Sequence, residues 1–89
     1  NKRMKEFSYV VKDPLGLHAR PAGMLAKAAK EFADTTITVT KGPKTIKATQ
    51  LMMIMGLAVK NGDEVTVRAE GPSEDAAIAA MEKFFQENL

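Results

Sequence analysis

The stretch Thr36-Ile37-Thr38-Val39-Thr40-Lys41-Gly42-Pro43-Lys44-Thr45-Ile46-Lys47-Ala48 decides the fold. β-Branched residues alternate with one another over 36–40 so that Ile37 and Val39 share one side of a strand, the pattern of a sheet with one buried face. A turn over 41–44 keeps Pro43 out of the ladder, where its missing N–H would break a pairing. Residues 45–48 then return as the hairpin partner, which makes this part of the sheet antiparallel.

Upstream, Phe7, Tyr9 and Val11 alternate with Ser8 and Val10 and predict a strand over 5–12 with one face toward a core. Asp13-Pro14-Leu15-Gly16 ends it as a loop. A helix over 19–32 follows, its apolar stripe formed by Ala22, Leu25, Ala26, Ala29 and Phe32. Downstream, 49–57 reads as a helix of about two turns, capped by Thr49 and stopped near Gly56. A turn over 60–63 leads to a last strand on which Val65, Val67 and Ala69 alternate. Ser73 then caps a final helix with Glu74 and Asp75 at its positive end and Ala77, Ile78, Met81, Phe84 and Phe85 on its buried stripe. The order βαββαβα predicts an α+β open-faced two-layer sandwich. A four-stranded antiparallel sheet is covered on one face by three helices, in one domain spanning 1–89.

Composition narrows the function. The chain has no cysteine and one histidine, so no disulfide framework, thiolate metal site or structural metal is expected, and no cofactor. Its net charge of +2 comes from interspersed acids and bases, and no aromatic platform accompanies the lysines, which argues against a nucleic-acid module. The longest apolar run, from Leu51 toward Val59, is too short to span a membrane. Residues 1–3 are a polar lead, and no secretory leader is expected ahead of the first strand.

That single histidine lies in Gly16-Leu17-His18-Ala19-Arg20-Pro21-Ala22. Proline is tolerated in the first turn of a helix, so Pro21 puts the helix start one or two residues earlier and His18 at or beside the N-cap. The first N–H groups of a helix lack intrahelical acceptors and attract anions. Arg20 adds a fixed charge able to bind phosphate oxygens bidentately, and a neutral imidazole is nucleophilic near neutral pH. Local chemistry leaves two readings open, a capping or surface imidazole and a phosphoryl acceptor. Gly23 clears space beside the histidine. Met24 falls on the same stripe as Arg20 and Lys27, away from the apolar face. The short helix cannot hide every side of Leu51, Met52, Met53, Ile54 and Met55, and exposed apolar side chains on a small protein usually mark a partner surface. Gly23, Met24, Leu51, Met52 and Met55, rimmed by Arg20 and Lys27, are the expected interface.

These residues carry a resemblance to the HPr family, the histidine-containing phosphocarriers of the bacterial phosphoenolpyruvate-dependent sugar phosphotransferase system. Gly16 to Ala22 is similar to the family's active-site motif, Ile37-Thr38-Val39 to its second strand, and Asn61-Gly62-Asp63-Glu64-Val65-Thr66-Val67 to the run into its fourth. The resemblance implies a cytoplasmic, monomeric carrier that accepts a phosphoryl group from enzyme I on Nδ1 of His18 and hands it to sugar-specific IIA domains. It also implies that Arg20 assists and that the backbone of Ala19 and Arg20 holds the phosphate. Such a carrier has no turnover of its own. Two departures stand out. Gln50 occupies the position of the regulatory serine that many members carry, or Thr49 does if the alignment shifts by one. Leu15 stands where many relatives have a small polar residue, which removes a polar side chain from the active-site loop. Two alternatives remain: a paralogue serving a nitrogen-related or non-sugar relay, and a binding module of the same shape that acts allosterically on a regulator or metabolic enzyme.

Overall fold

The computed structural model describes residues 4–89, and the polar lead lies outside them. The elements run β1 (Lys5–Val10), α1 (Ala19–Lys30), β2 (Thr36–Lys41), β3 (Lys44–Lys47), α2 (Leu51–Gly56), β4 (Glu64–Glu70) and α3 (Glu74–Asn88). They form a four-stranded sheet in the order β1-β4-β2-β3, with every neighbouring pair antiparallel. Since β1 and β2 both run against β4, they are parallel to each other with β4 inserted between them. This gathers the end of β1, the end of β2 and the start of β4 at one end of the sheet, where Val10 faces Glu64.

Register explains the two faces. Phe7, Val67, Val39 and Ile46 are successive partners across all four strands, and with Ile37, Val65 and Ala69 they point toward the helices. The opposite face carries the rows Glu6, Arg68, Thr38, Lys47 and Ser8, Thr66, Thr40, Thr45. There Arg68 Nε donates to Glu6 Oε1 at 2.8 Å, and hydroxyls pair between Ser8 and Thr66 and between Thr40 and Thr45. The helices close the core with Ala22, Leu25, Ala26 and Ala29 of α1, Ile54 of α2, and Ala77, Met81 and Phe85 of α3. Alanines let α1 lie close to the sheet, while Phe85 fills the space over β1, edge-on to Phe7 and Tyr9 at 5.7 and 5.6 Å.

The ends of several elements differ from the sequence expectation. β1 stops at Val10 because Lys12 and Asp13 turn their N–H groups to Leu89 O. α1 stops at Lys30, where Glu31 and Phe32 tighten to i−3 bonds with Ala28 O and Ala29 O. β3 lies over 44–47 rather than 45–48, although Ala48 N–H still donates to Ile37 O. Thr49 does not cap α2. Gln50 is the N-cap, since Ile54 N–H donates to Gln50 O, and Gln50 N–H is itself used by Lys47 O in the turn leaving β3. Ser73 is the N-cap of α3, but its hydroxyl is turned away from the helix and donates to Asp34 Oδ2 at 3.0 Å, while its N–H donates to Thr35 Oγ1. The loop after α1 is thereby clamped to the start of α3.

At the end of the sheet that gathers β1, β2 and β4, Asp63 accepts the Lys60 N–H at 2.9 Å and an ion pair from Lys41 Nζ at 3.0 Å. The Lys60 N–H, followed by the Lys41 ammonium, holds the Asp63 carboxyl below its ordinary value of 3.8. A carboxylate depressed in the folded state stabilises the fold above its unfolded pKa, and that contribution is lost as pH falls through the folded value. Asp63→Asn is therefore expected to be less stable than the parent at about pH 7 and to lose less stability between about pH 5 and about pH 2. Urea unfolding across that range checks this, and parallel acid limbs in the two proteins would remove Asp63 from the linkage.

Candidate functional site

His18 is the N-cap of α1, with extended backbone (φ −85°, ψ −172°), and its carbonyl accepts the first helical bond from Ala22 N–H at 2.9 Å. Pro21 has no N–H, so the first-turn donors without intrahelical acceptors are those of Ala19 and Arg20. The His18 side chain makes no capping hydrogen bond and is half-buried. The imidazole is therefore free for another task, with two backbone donors beside it.

The loop that delivers His18 is fixed from three sides. Gly16 adopts φ +69°, and a Cβ placed there would lie 2.6 Å from Lys60 Cα and nearer still to Val59 O. Only glycine has both the conformation and the missing bulk. The next residue, Leu17, is buried and donates its N–H to Val59 O at 3.0 Å. Within the loop, Asp13 Oδ1 accepts Leu15 N–H and Asp13 O accepts Gly16 N–H, a turn closed by its own side chain. From the third side, Leu89 O accepts Lys12 and Asp13 N–H at 2.5 and 2.8 Å, and Asn61 Nδ2 donates to Lys12 O.

An open cleft of about 270 Å³ is lined by Asp13, His18, Arg20, Pro21, Met24 and Asn88. The structure thus brings His18, Arg20 and Met24 together, as their sequence positions suggest. Asp13 and Asn88 join them, with no sequence signal that places either beside the histidine. Asp13 is legible only as a loop residue, and Asn88, far along the chain, reaches the cleft because α3 ends there. Ala19 and Arg20 are exposed, and Lys27 is exposed on α1 beyond Met24. A Cβ on Gly23 would meet no atom within 4 Å, so the glycine leaves a bare helix surface rather than clearing a required gap. Met24 is 44% exposed, and Leu51, Met52 and Met55 on α2 are 42, 79 and 39% exposed. Met53, outside the interface expected from sequence, is 49% exposed, because α2 buries Ile54 alone. The α2 residues stand outside the cleft, on a helix that packs against α1. Gln50 sits at the N-cap of α2 with Thr49 just before it. Leu15, 72% exposed, brings no polar side chain to the loop. Among the described residues, no three metal-ligating side chains gather, and no helix is long and apolar enough to cross a membrane.

Residues 5–87 match the family described as PTS HPr component phosphorylation site. The phosphocarrier protein HPr of Mycoplasma capricolum is 40% identical over 80 residues, covering 90% of this chain and 89% of that one. Among solved structures, HPr from Thermoanaerobacter tengcongensis superposes with a TM-score of 0.87 at 38% identity, covering 92% and 91% of the two chains. A crystal structure of an HPr dimer from the same organism also matches, with a TM-score of 0.74 at 37% identity, covering 93% and 94%.

Two substitutions separate the His18 side chain from the loop that carries it. His18→Ala removes no capping bond and is expected to cost less than about 1 kcal/mol. Gly16→Ala adds a left-handed alanine, about 1–2 kcal/mol, and a collision with backbone worth about 1–3 kcal/mol. It is expected to be much the less stable of the two in urea unfolding, and equal stabilities would contradict the tight seat of Gly16.

Proposed function

The chain belongs to the PTS HPr family, and from that premise we propose that it carries a phosphoryl group from enzyme I to the IIA domains of sugar permeases, on Nδ1 of His18. The observation that carries this reading is the uncommitted imidazole at the N-cap of α1, in an open cleft with Arg20 and beside the Ala19 and Arg20 N–H groups. In the transfer, the Nδ1 lone pair forms the new N–P bond as the donor's bond to phosphorus breaks, while the imidazole proton stays on Nε2. The incoming phosphoryl oxygens carry negative charge to the positive end of α1, where backbone donors and the guanidinium oppose it. Handing the group on reverses these bonds, so the protein is a substrate and donor with no turnover of its own. The working form is a cytoplasmic monomer, whose cleft has to stay open to successive partners.

Docking belongs to the exposed side chains of α1 and α2. Met24, Leu51, Met52, Met53 and Met55 supply apolar contact, and flexible methionines fit more than one partner. Gly23 leaves the α1 surface low, while Arg20 and Lys27 steer acidic partner faces.

Incubation with phosphoenolpyruvate and enzyme I is expected to add one acid-labile phosphoryl group at His18, read by intact mass and peptide mapping. His18→Ala is expected to stay unmodified, and Arg20→Lys to transfer more slowly because the bidentate fork is lost while the charge remains. Phosphate on His18→Ala would overturn the assignment, and an unchanged rate in Arg20→Lys would remove the fork from the mechanism.

The docking face has its own test. Met52→Glu is expected to weaken binding to enzyme I by more than about tenfold, roughly 1.4 kcal/mol, with little change in thermal stability because Met52 is 79% exposed. Calorimetric titration reads the first quantity and a melting curve the second. Unaltered affinity would take α2 out of the interface.

A further inference from the structure

Lys41 closes β2 at the end of the sheet beside which the His18 loop is seated. An ammonium has three N–H donors, and three oxygens meet this one: Leu57 O at 3.2 Å, Ala58 O at 2.8 Å and Asp63 Oδ2 at 3.0 Å. Residues 57–63, which join α2 to β4, are thus folded around a single cation. The path they take is not one the backbone prefers. Ala58 has φ +53°, the one positive φ among the described non-glycine residues, and L side chains disfavour that region. The carbonyls held by Lys41 are those of Ala58 and its neighbour.

A separate set of groups on the same segment holds the loop that leads to His18. Val59 O accepts Leu17 N–H at 3.0 Å, and Gly16 is seated against Val59 and Lys60. Asp63 O accepts Val11 N–H at 3.0 Å, Gly62 N–H donates to Val11 O at 2.8 Å, and Asn61 Nδ2 donates to Lys12 O at 3.0 Å. If the 57–63 segment shifts, the seat of Gly16 and Leu17 shifts with it, and so does the N-cap residue that follows.

We infer that Lys41 is a positioning residue for phosphoryl transfer, fixing the 57–63 segment and through it the placement of His18 and of the first-turn donors of α1. This rests on the phosphocarrier reading above. Lys41 acts through the segment rather than on the phosphate, and it does so from a different element than any residue of the cleft. A displacement of the acceptor nitrogen by a fraction of an ångström leaves partner docking intact and lowers the rate of the step itself.

Single-turnover transfer from phosphorylated enzyme I, at a temperature where circular dichroism finds the variants folded, tests this. Lys41→Met is expected to lower the maximal rate about tenfold while the half-saturating concentration stays within about twofold. Lys41→Arg, which keeps a cation and its donors, is expected to restore most of the rate. Hydrogen exchange of the Leu17 amide, which Val59 O accepts, is expected to accelerate in Lys41→Met and not in Lys41→Arg. A wild-type maximal rate in Lys41→Met overturns the inference. So does an effect confined to the half-saturating concentration and abolished by salt, since that is the mark of a steering charge. Should Lys41→Met fail to fold, Asp63→Asn removes the charge of one of the three oxygens. It is expected to produce a smaller loss of maximal rate with unchanged half-saturation, and no loss overturns the inference. If the parent protein takes no phosphate on His18, the phosphocarrier reading has failed. Unchanged Leu17 exchange in Lys41→Met would instead show that Lys41 does not hold the loop.

Discussion

Gly16 lies so near the backbone of Val59 and Lys60 that no side chain fits between them, and its φ of +69° admits no L residue without strain. This contact joins two segments that are far apart in the chain, the end of β1 and the approach to β4. It exists because the sheet order makes those strands neighbours, with Val10 opposite Glu64. Leu17 then turns its N–H to Val59 O and its side chain into the core, and the chain direction that results is the one in which α1 begins at His18. The placement of His18 is therefore a consequence of backbone packing rather than of any capping bond its imidazole makes.

That separation suits a carrier. In the proposed transfer a side chain committed to capping would have to break its hydrogen bond to accept the group, whereas His18 sits at the N-cap without capping. The helix still presents its first N–H groups there, so in the proposed transfer the charge of the incoming group would replace the cap that the side chain leaves out. The loop's own polar groups are consumed internally, by the turn closed on Asp13 and by Leu89 O, which leaves the cleft floor firm and its mouth open.

The methionines show how one residue type takes opposite roles according to the surface beneath it. Met81 is fully buried on α3, among the side chains that pack on the sheet. Met52, with the same side chain, is 79% exposed, because α2 spans only 6 residues and one position, Ile54, is enough to anchor it. A short helix with one buried residue and an apolar remainder gains its stability from that anchor and from the connections at its two ends. Its exposed side chains are left free of any structural duty.

The alternation of Ile37 with Val39, the helical stripes from Ala22 to Ala29 and from Ala77 to Phe85, and Pro21 behind a lone histidine carried the fold class, the element order and the N-cap placement of His18. These are local signals, fixed by the periods of strand and helix and by the chemistry of a first turn. Where elements stop was less legible. Thr49 and Ser73 both look like caps, yet one lies a residue too early and the other gives its hydroxyl to Asp34, a partner 39 positions away. The cleft shared by Asp13 and Asn88 with His18, the exposure of Met53, and the cation at Lys41 with its three oxygens have no signature along the chain. The sequence by itself determined which residues can carry the chemistry, because that depends on side-chain type and nearest neighbours. Only the tertiary structure decided what holds them in place, because the sheet order brings 11–17, 41 and 57–63 to one end, and hydrogen bonds between distant segments form only after that order is set.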